Sequence, residues 1–262
     1  MKTTRSKDGT TLAYEVHGSG PALVYITGAS CFRAFKPVRD DVREFAKEFT
    51  VYTYDRRGRG DSGDTPPYAV AREVEDIEAL IDAAGGRAHL YGHSSGAVLA
   101  LEAALHLGDK VHKVVMYDPS YVHDEAEKAS YGQLSQKVRG LLKAGENKAA
   151  MRTFLKGIGM PGPFVWLLPL FPGWKTMVAL APTLAYDIAL TEDLPPVERA
   201  TRVTVPTHIV VGEKGPAGIH EVANQLTRAI PHAGFEKLAG QDHMVSARAL
   251  RPVLSRFLRD PS

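Results

Sequence analysis

The sequence predicts an α/β fold: a mostly parallel, twisted sheet with helices on both faces. Three observations carry this expectation. Short apolar runs without polar alternation, at 22–26, 88–91 and 207–211, suit strands covered on both faces. Between them lie segments whose apolar residues recur at helical spacing, and strands that alternate with helices imply a parallel sheet between two helical layers. The alternation stops between 120 and 202, where no strand is convincing and the chain is rich in proline and aromatic residues. That stretch reads as a helical insertion at 120–202, dividing a core of 1–119 from its continuation at 203–262.

The elements follow in order. Residues 2–7 and 11–16 read as antiparallel strands joined through Asp8-Gly9, a dipeptide suited to a two-residue hairpin turn. After the strand at 22–26, Val38, Val42, Phe45 and Phe49 mark a helical face, and 49–54 reads as a strand. Val70, Val74, Ile77, Leu80 and Ile81 mark a second helix that ends at Gly85-Gly86. A strand at 88–91, a helix at 95–107 and a strand at 113–117 complete the first part. Beyond the insertion come a strand at 207–211, a helix at 218–230 closed by Pro231, a strand at 234–238, and a last helix carrying Leu250, Val253, Leu254 and Leu258.

Composition bounds the function. For 262 residues, about 73% of the unfolded surface is buried on folding, enough for a core without covalent staples. Cys31 is the single cysteine, so an internal disulfide is excluded. Lys and Arg number 32 against 30 Asp and Glu, a net charge of +2 that gives no reason to expect a nucleic-acid partner. The N-terminal decapeptide lacks the apolar stretch of a secretion signal, so a cytoplasmic setting is expected. The most apolar segment, 164–174, is interrupted by Pro169, Pro172 and Gly173 and is too short to span a membrane.

The chemistry starts at Gly92-His93-Ser94-Ser95-Gly96, a G-x-S-x-G pattern between an apolar strand and a helix. A serine on so sharp a turn stands exposed, and small residues two positions to either side let the helix approach the strand. The following amide, that of Ser95, then points from a helix N-terminus toward developing negative charge.

On these residues the chain resembles the α/β-hydrolase family, in particular its small cofactor-free esterase and haloperoxidase-like members. The resemblance covers nearly the whole chain and implies the α/β-hydrolase fold with a helical cap insertion. Tyr25-Ile26-Thr27-Gly28-Ala29 stands where the family has a strand ending in His-Gly-x; Thr27 replaces the histidine, and the Ala29 amide remains as second oxyanion donor. Asp55-Arg56-Arg57-Gly58-Arg59-Gly60-Asp61-Ser62 is similar to the family's D-x-R-G-x-G-x-S segment and reads as a loop buttress rather than a substrate contact.

The family order of serine, acid and histidine implies His243, after the last strand and before the last helix, as the base. At the usual acid position stands Gly215. Some members carry the carboxylate one strand earlier, which implies Asp118; Glu213 and Asp242 are the alternatives, as is a dyad without an acid. Asp118 also reads as a turn residue before Pro119. Cys31 reads as a small buried hydrophobe. No spacing suggests a metal or a nucleotide site, and no cofactor is expected.

The expected function is hydrolysis of small to medium hydrophobic carboxylic esters through an acyl-enzyme on Ser94. Lactone or carbon–carbon bond hydrolysis, lyase or perhydrolase chemistry, and a small-molecule receptor with a vestigial triad are the alternatives. A haloalkane dehalogenase would need Asp at 94. The aromatic run at 160–174, with both tryptophans, has three readings: a lining for an apolar pocket, a seal of the insertion onto the core, or a patch for membrane contact or dimerisation.

Overall fold

The computed structural model describes residues 1–171 and 173–260. Eight strands form one sheet: β1 (Lys2–Arg5), β2 (Thr11–His17), β3 (Ala22–Ile26), β4 (Thr50–Tyr54), β5 (Ala88–His93), β6 (Val111–Tyr117), β7 (Thr207–Gly212) and β8 (Gly234–Leu238). Their order is β1-β2-β4-β3-β5-β6-β7-β8; β1 and β2 pair antiparallel, β2 meets β4 antiparallel, and all other pairs are parallel. The chain steps outward from β3 to β4 and returns to β5 on the opposite side of β3. The reversal falls between β3 and β5, and open α/β sheets bind ligands outside the carboxyl ends of the strands at such a point.

Core helices α1 (Lys36–Phe45), α2 (Val70–Ala83), α3 (Ser95–Leu107), α10 (Ala217–Ala229) and α11 (Ala247–Leu258) cover the sheet. Two apolar clusters show how. Ile77, Leu80 and Ile81 of α2, the small-residue face of α3 and Val222 and Leu226 of α10 pack on one face of the sheet; Val42 and Phe45 of α1 and Leu250 and Leu254 of α11 pack on the other. The helix α3, rich in alanine, is buried over most of its length, because small side chains let it lie close against β5 and β6.

Two expectations need correction. The first hairpin has no two-residue turn: β1 ends at Arg5 and β2 starts at Thr11. The Ser6 amide donates to the Thr10 carbonyl, and Asp8 accepts from the Thr10 amide at 3.0 Å, so Asp8 caps a longer loop. Phe49 leaves the helical face; α1 stops at Phe45 and Phe49 plugs the core from the turn before β4.

Between β6 and β7 the described residues form helices and no strand: α4 (Glu125–Lys143), α5 (Asn147–Gly157), α6 (Gly162–Leu167), α7 (Trp174–Ala179), α8 (Leu184–Thr191) and α9 (Val197–Ala200). They have a core of their own, with Val138, Met151, Phe154, Val165, Trp174 and Leu184 buried together and Ala29 of the β3–α1 loop packed against them. Stacked rings of Tyr68 and Tyr186, 3.9 Å between centroids, fasten α8 to the loop before α2.

Candidate active site

Ser94 occupies the turn between β5 and α3 with φ 57° and ψ −123°, a left-handed backbone that costs a non-glycine residue on the order of 1–3 kcal/mol. The flanking glycines make the turn possible. A Cβ at Gly92 would come 2.3 Å from the Gly96 carbonyl oxygen, and one at Gly96 would come 2.2 Å from that of Ile26. The Ser94 amide continues the ladder by donating to the Tyr117 carbonyl at 3.0 Å, so the strained residue is held from β6.

Asp118 begins the loop after β6, fully buried and also left-handed, with φ 47°. Its Oδ1 accepts from the Gly212 amide at 3.1 Å, and its Oδ2 accepts from His243 Nδ1 at 2.9 Å. A proton on Nδ1 leaves Nε2 with its lone pair free. Gly215, at the position where the family resemblance places the acid, is close by: a Cβ there would lie 3.0 Å from the Gly212 carbonyl oxygen and 3.7 Å from Asp118 Oδ2. The alternatives are engaged elsewhere. Glu213 accepts from the Gly240 amide at 2.8 Å, and Asp242 accepts from the Met244 amide at 2.8 Å.

The loop carrying His243 is tied to the sheet through its backbone. His93 Nε2 donates to the His243 carbonyl at 2.8 Å, and the Tyr117 hydroxyl donates to the Asp242 carbonyl at 2.6 Å. Burial, reinforced by the neighbouring His243, pushes the His93 imidazole down to about 3, so it stays neutral. Ser94 and His243 are not joined directly: the Ser94 hydroxyl shares a hydrogen bond with Ser120 Oγ at 3.1 Å, and Ser120 in turn donates to the Asp118 carbonyl.

The β3–α1 loop passes against the nucleophile, and a Cβ at Gly28 would stand 3.1 Å from Ser94 Cβ. Behind it lies a buried ion cluster. Arg59 donates to the carbonyls of Gly28 (2.8 Å) and Cys31 (3.2 Å), and Arg56 donates to that of Thr27 (3.3 Å). The carbonyls of this loop are thus turned inward to the arginines, and Ser95, the first residue of α3, has an amide without an intrahelical acceptor. Arg56 forms a fork to Glu73, both contacts at 2.6 Å, and a bond to Asp187 at 2.9 Å; Arg59 reaches the other Asp187 oxygen at 2.7 Å, and Ser95 Oγ donates to Asp187 at 2.8 Å. Burial works to raise the carboxyls of Asp187 and Glu73, but the adjacent guanidiniums outweigh it and hold both below their ordinary values. Cys31 is partly buried, and burial pushes its thiol up to about 11, so the thiol stays protonated at neutral pH.

Three residues of this site escape a reading by motif: Ser120, His93 and Asp187. His93 fills a variable position of the serine pattern, and Ser120 has no signal of its own. Asp187 does have one, being the only charge in 176–191, and a lone charge in an apolar helix requires a buried partner. The aromatic run of the insertion divides in two: Val165, Leu168 and Trp174 seal the inner core, whereas Phe164, Trp166, Leu167, Leu170 and Phe171 face outward. Pro172 lies outside the described residues. Among the described residues no group of three or more His, Cys, Asp or Glu side chains is placed to hold a metal ion, and no helix is long and apolar enough to cross a membrane.

Comparison with known proteins adds independent findings. A model of the alpha/beta hydrolase family matches residues 16–255. A solved alpha/beta hydrolase from Sphaerobacter thermophilus is 39% identical, with a TM-score of 0.87 over 98% of this chain and 100% of that one. The 2-(acetamidomethylene)succinate hydrolase of Mesorhizobium japonicum is 29% identical over 90% of this chain and 86% of its own length. A provisionally named carbamate hydrolase, RutD, of Azorhizobium caulinodans is 31% identical over 107 residues; the match spans 40% of each chain.

Proposed function

The chain belongs to the alpha/beta hydrolase family, and from that premise we propose that it is a serine hydrolase cleaving carboxylic esters of small to medium hydrophobic substrates. One observation carries the reading: a left-handed Ser94 just past the carboxyl end of β5, beside the loop after β6 that begins with Asp118, whose carboxylate holds His243 with Nε2 free. Such a constellation serves nucleophilic acyl transfer.

The steps follow from these groups. Ser94 Oγ leaves Ser120, passes its proton to His243 Nε2 and attacks the ester carbonyl. Asp118 stabilises the imidazolium, and the Ala29 and Ser95 amides receive the oxyanion. The imidazolium then protonates the leaving alkoxide. Water, deprotonated by the same imidazole, cleaves the acyl-enzyme and restores the Ser94 hydroxyl. The helices of 120–202 act as a cap, and the apolar cluster that reaches Ala29 supports a preference for hydrophobic acyl groups.

Intact mass after exposure to a fluorophosphonate tests the reading. Wild type is expected to gain one adduct and Ser94→Ala none, with turnover of p-nitrophenyl esters reduced on the order of 10⁶-fold. Absence of the adduct in wild type, or full esterase activity in Ser94→Ala, refutes an acyl-enzyme on Ser94. A panel with an anilide, a lactone and a carbamate beside the esters separates ester cleavage from the hydrolyses for which the relatives are named.

A further inference from the structure

Large apolar side chains are unevenly distributed over the surface. Of the eleven that stand exposed among the described residues, seven fall within 158–171. Trp166 is 70% and Leu170 78% exposed, and Phe164 and Phe171 lie with their rings 6.1 Å apart beside them. An exposed apolar concentration of this kind on a globular protein marks a contact surface. It belongs to α6 and the turn after it, on the outer side of the insertion, away from the inner cluster of Met151, Val165 and Trp174.

Charge identifies what the surface fits. Residues 147–186 contain four cations, Lys148, Arg152, Lys156 and Lys175, and no acid. The first three recur every four residues along α5 and so line one stripe of that helix. Arg152 lies 5.7 Å from the Trp166 ring centroid and 5.6 Å from that of Trp174, which joins the stripe to the apolar patch. Among the described residues no carboxylate forms an ion pair with any of the four. A second copy of the chain is a poor partner, because a twofold contact would bring eight cations together with no acid from this segment to offset them. An apolar tip flanked by unpaired cations matches a surface that is anionic outside and hydrocarbon within.

We infer that the outer face of α5 and α6 docks the protein on anionic phospholipid bilayers, with Trp166, Leu170 and Phe171 inserted at the level of the headgroups and the four cations on the lipid phosphates and carboxylates. The attachment is peripheral. It is independent of the reaction assigned to Ser94.

Cosedimentation of the full chain with vesicles of phosphatidylcholine, alone or mixed with phosphatidylserine, tests the inference. Binding is expected to the mixed vesicles and not to phosphatidylcholine alone, and to fall as salt is raised. Emission from Trp166 should shift to the blue on binding, since Trp174, the other tryptophan, is already buried. Lys156→Gln with Lys175→Gln should weaken binding about 25-fold, at roughly fivefold per cation. Trp166→Ser with Leu170→Ser should abolish it while leaving Tm unchanged, because both side chains are exposed. Equal binding to the two vesicle types, no binding to either, or a dimer in sedimentation equilibrium that this second pair of changes dissociates would overturn it.

Discussion

The two sides of the candidate site are held in different ways. On the side of Ala29 and Ser95, four buried charges, Arg56, Arg59, Glu73 and Asp187, lock the loop after β3, the start of α3 and the helix α8 into one network. On the side of His243, separate hydrogen bonds, among them those donated by His93 and Tyr117 and that accepted by Glu213, secure a loop whose imidazole is partly open to solvent. The difference follows the chemistry. Donors that stabilise an oxyanion act best when fixed before charge develops, so that no reorganisation is needed during reaction. On the proposed mechanism, a base that takes a proton from Ser94 and returns it to a leaving group has to move.

The comparison breaks first at the carboxylates, one on each side. Asp118→Asn removes the charge that stabilises the imidazolium and is expected to lower kcat about 10⁴-fold while shifting Tm little. Asp187→Asn leaves Arg59 without its carboxylate in a buried site, which costs about 3–5 kcal/mol of stability and on the order of 10 °C in Tm. On the proposed mechanism its kcat should fall with KM nearly unchanged, because the loop of Ala29 and the start of α3 lose their bracing. If both variants lost stability and activity in the same proportion, the two sides would not be built differently. Thermal denaturation and steady-state kinetics on the same preparations decide.

How much of this was legible in the sequence depends on the range of the contact. The strand-helix alternation, the turn at Ser94 and the place of His243 are local patterns, and the helix at 95–107 and the strand at 234–238 match the structure to the residue. Asp118 was singled out because Gly215 stands at the usual acid position, and its carboxylate meets His243 Nδ1. The buttressing role of Arg56 and Arg59 was legible in kind, but their shared partner Asp187 was not, since it lies about 130 residues further on and no periodicity links the two segments. The readings of the aromatic run stayed open until burial divided its residues, because composition does not specify which face of a short helix turns outward.

Acid should loosen the two sides in sequence. His93 is held neutral down to about 3 and His89 down to about 4, in both cases chiefly by burial, whereas in the unfolded chain each imidazole titrates near 6.5. Below that value the unfolded chain binds protons that the native protein does not, so stability is complete above about 6.5 and falls with decreasing pH by about 1.4 kcal/mol per unit for each imidazole. Asp187 and Glu73 act later: their folded values are depressed, so their contribution is present above the ordinary carboxylate range and is lost as pH falls through the folded values. Urea denaturation of wild type and His93→Gln between pH 7 and 4 measures the first phase. The variant should show a slope shallower by about 1.4 kcal/mol per unit; identical slopes would mean that His93 is protonated in the native state.

The smallest effect is expected at Glu213, and it sharpens the contrast between the ends of β6 and β7. Both strands end with a carboxylate nearby, but only that of Asp118 reaches His243; Glu213 is exposed and caps the turn after β8 by accepting from the Gly240 amide. Glutamine retains an oxygen that accepts the same amide, so Glu213→Gln removes charge without removing the turn. Turnover within about twofold of wild type is expected, since exposed changes away from buried or strained features shift energies by less than roughly 0.5 kcal/mol. A loss comparable to that in Asp118→Asn would instead make the end of β7 the source of the orienting carboxylate, and would leave Asp118 as the buried turn residue that its place before Pro119 allows.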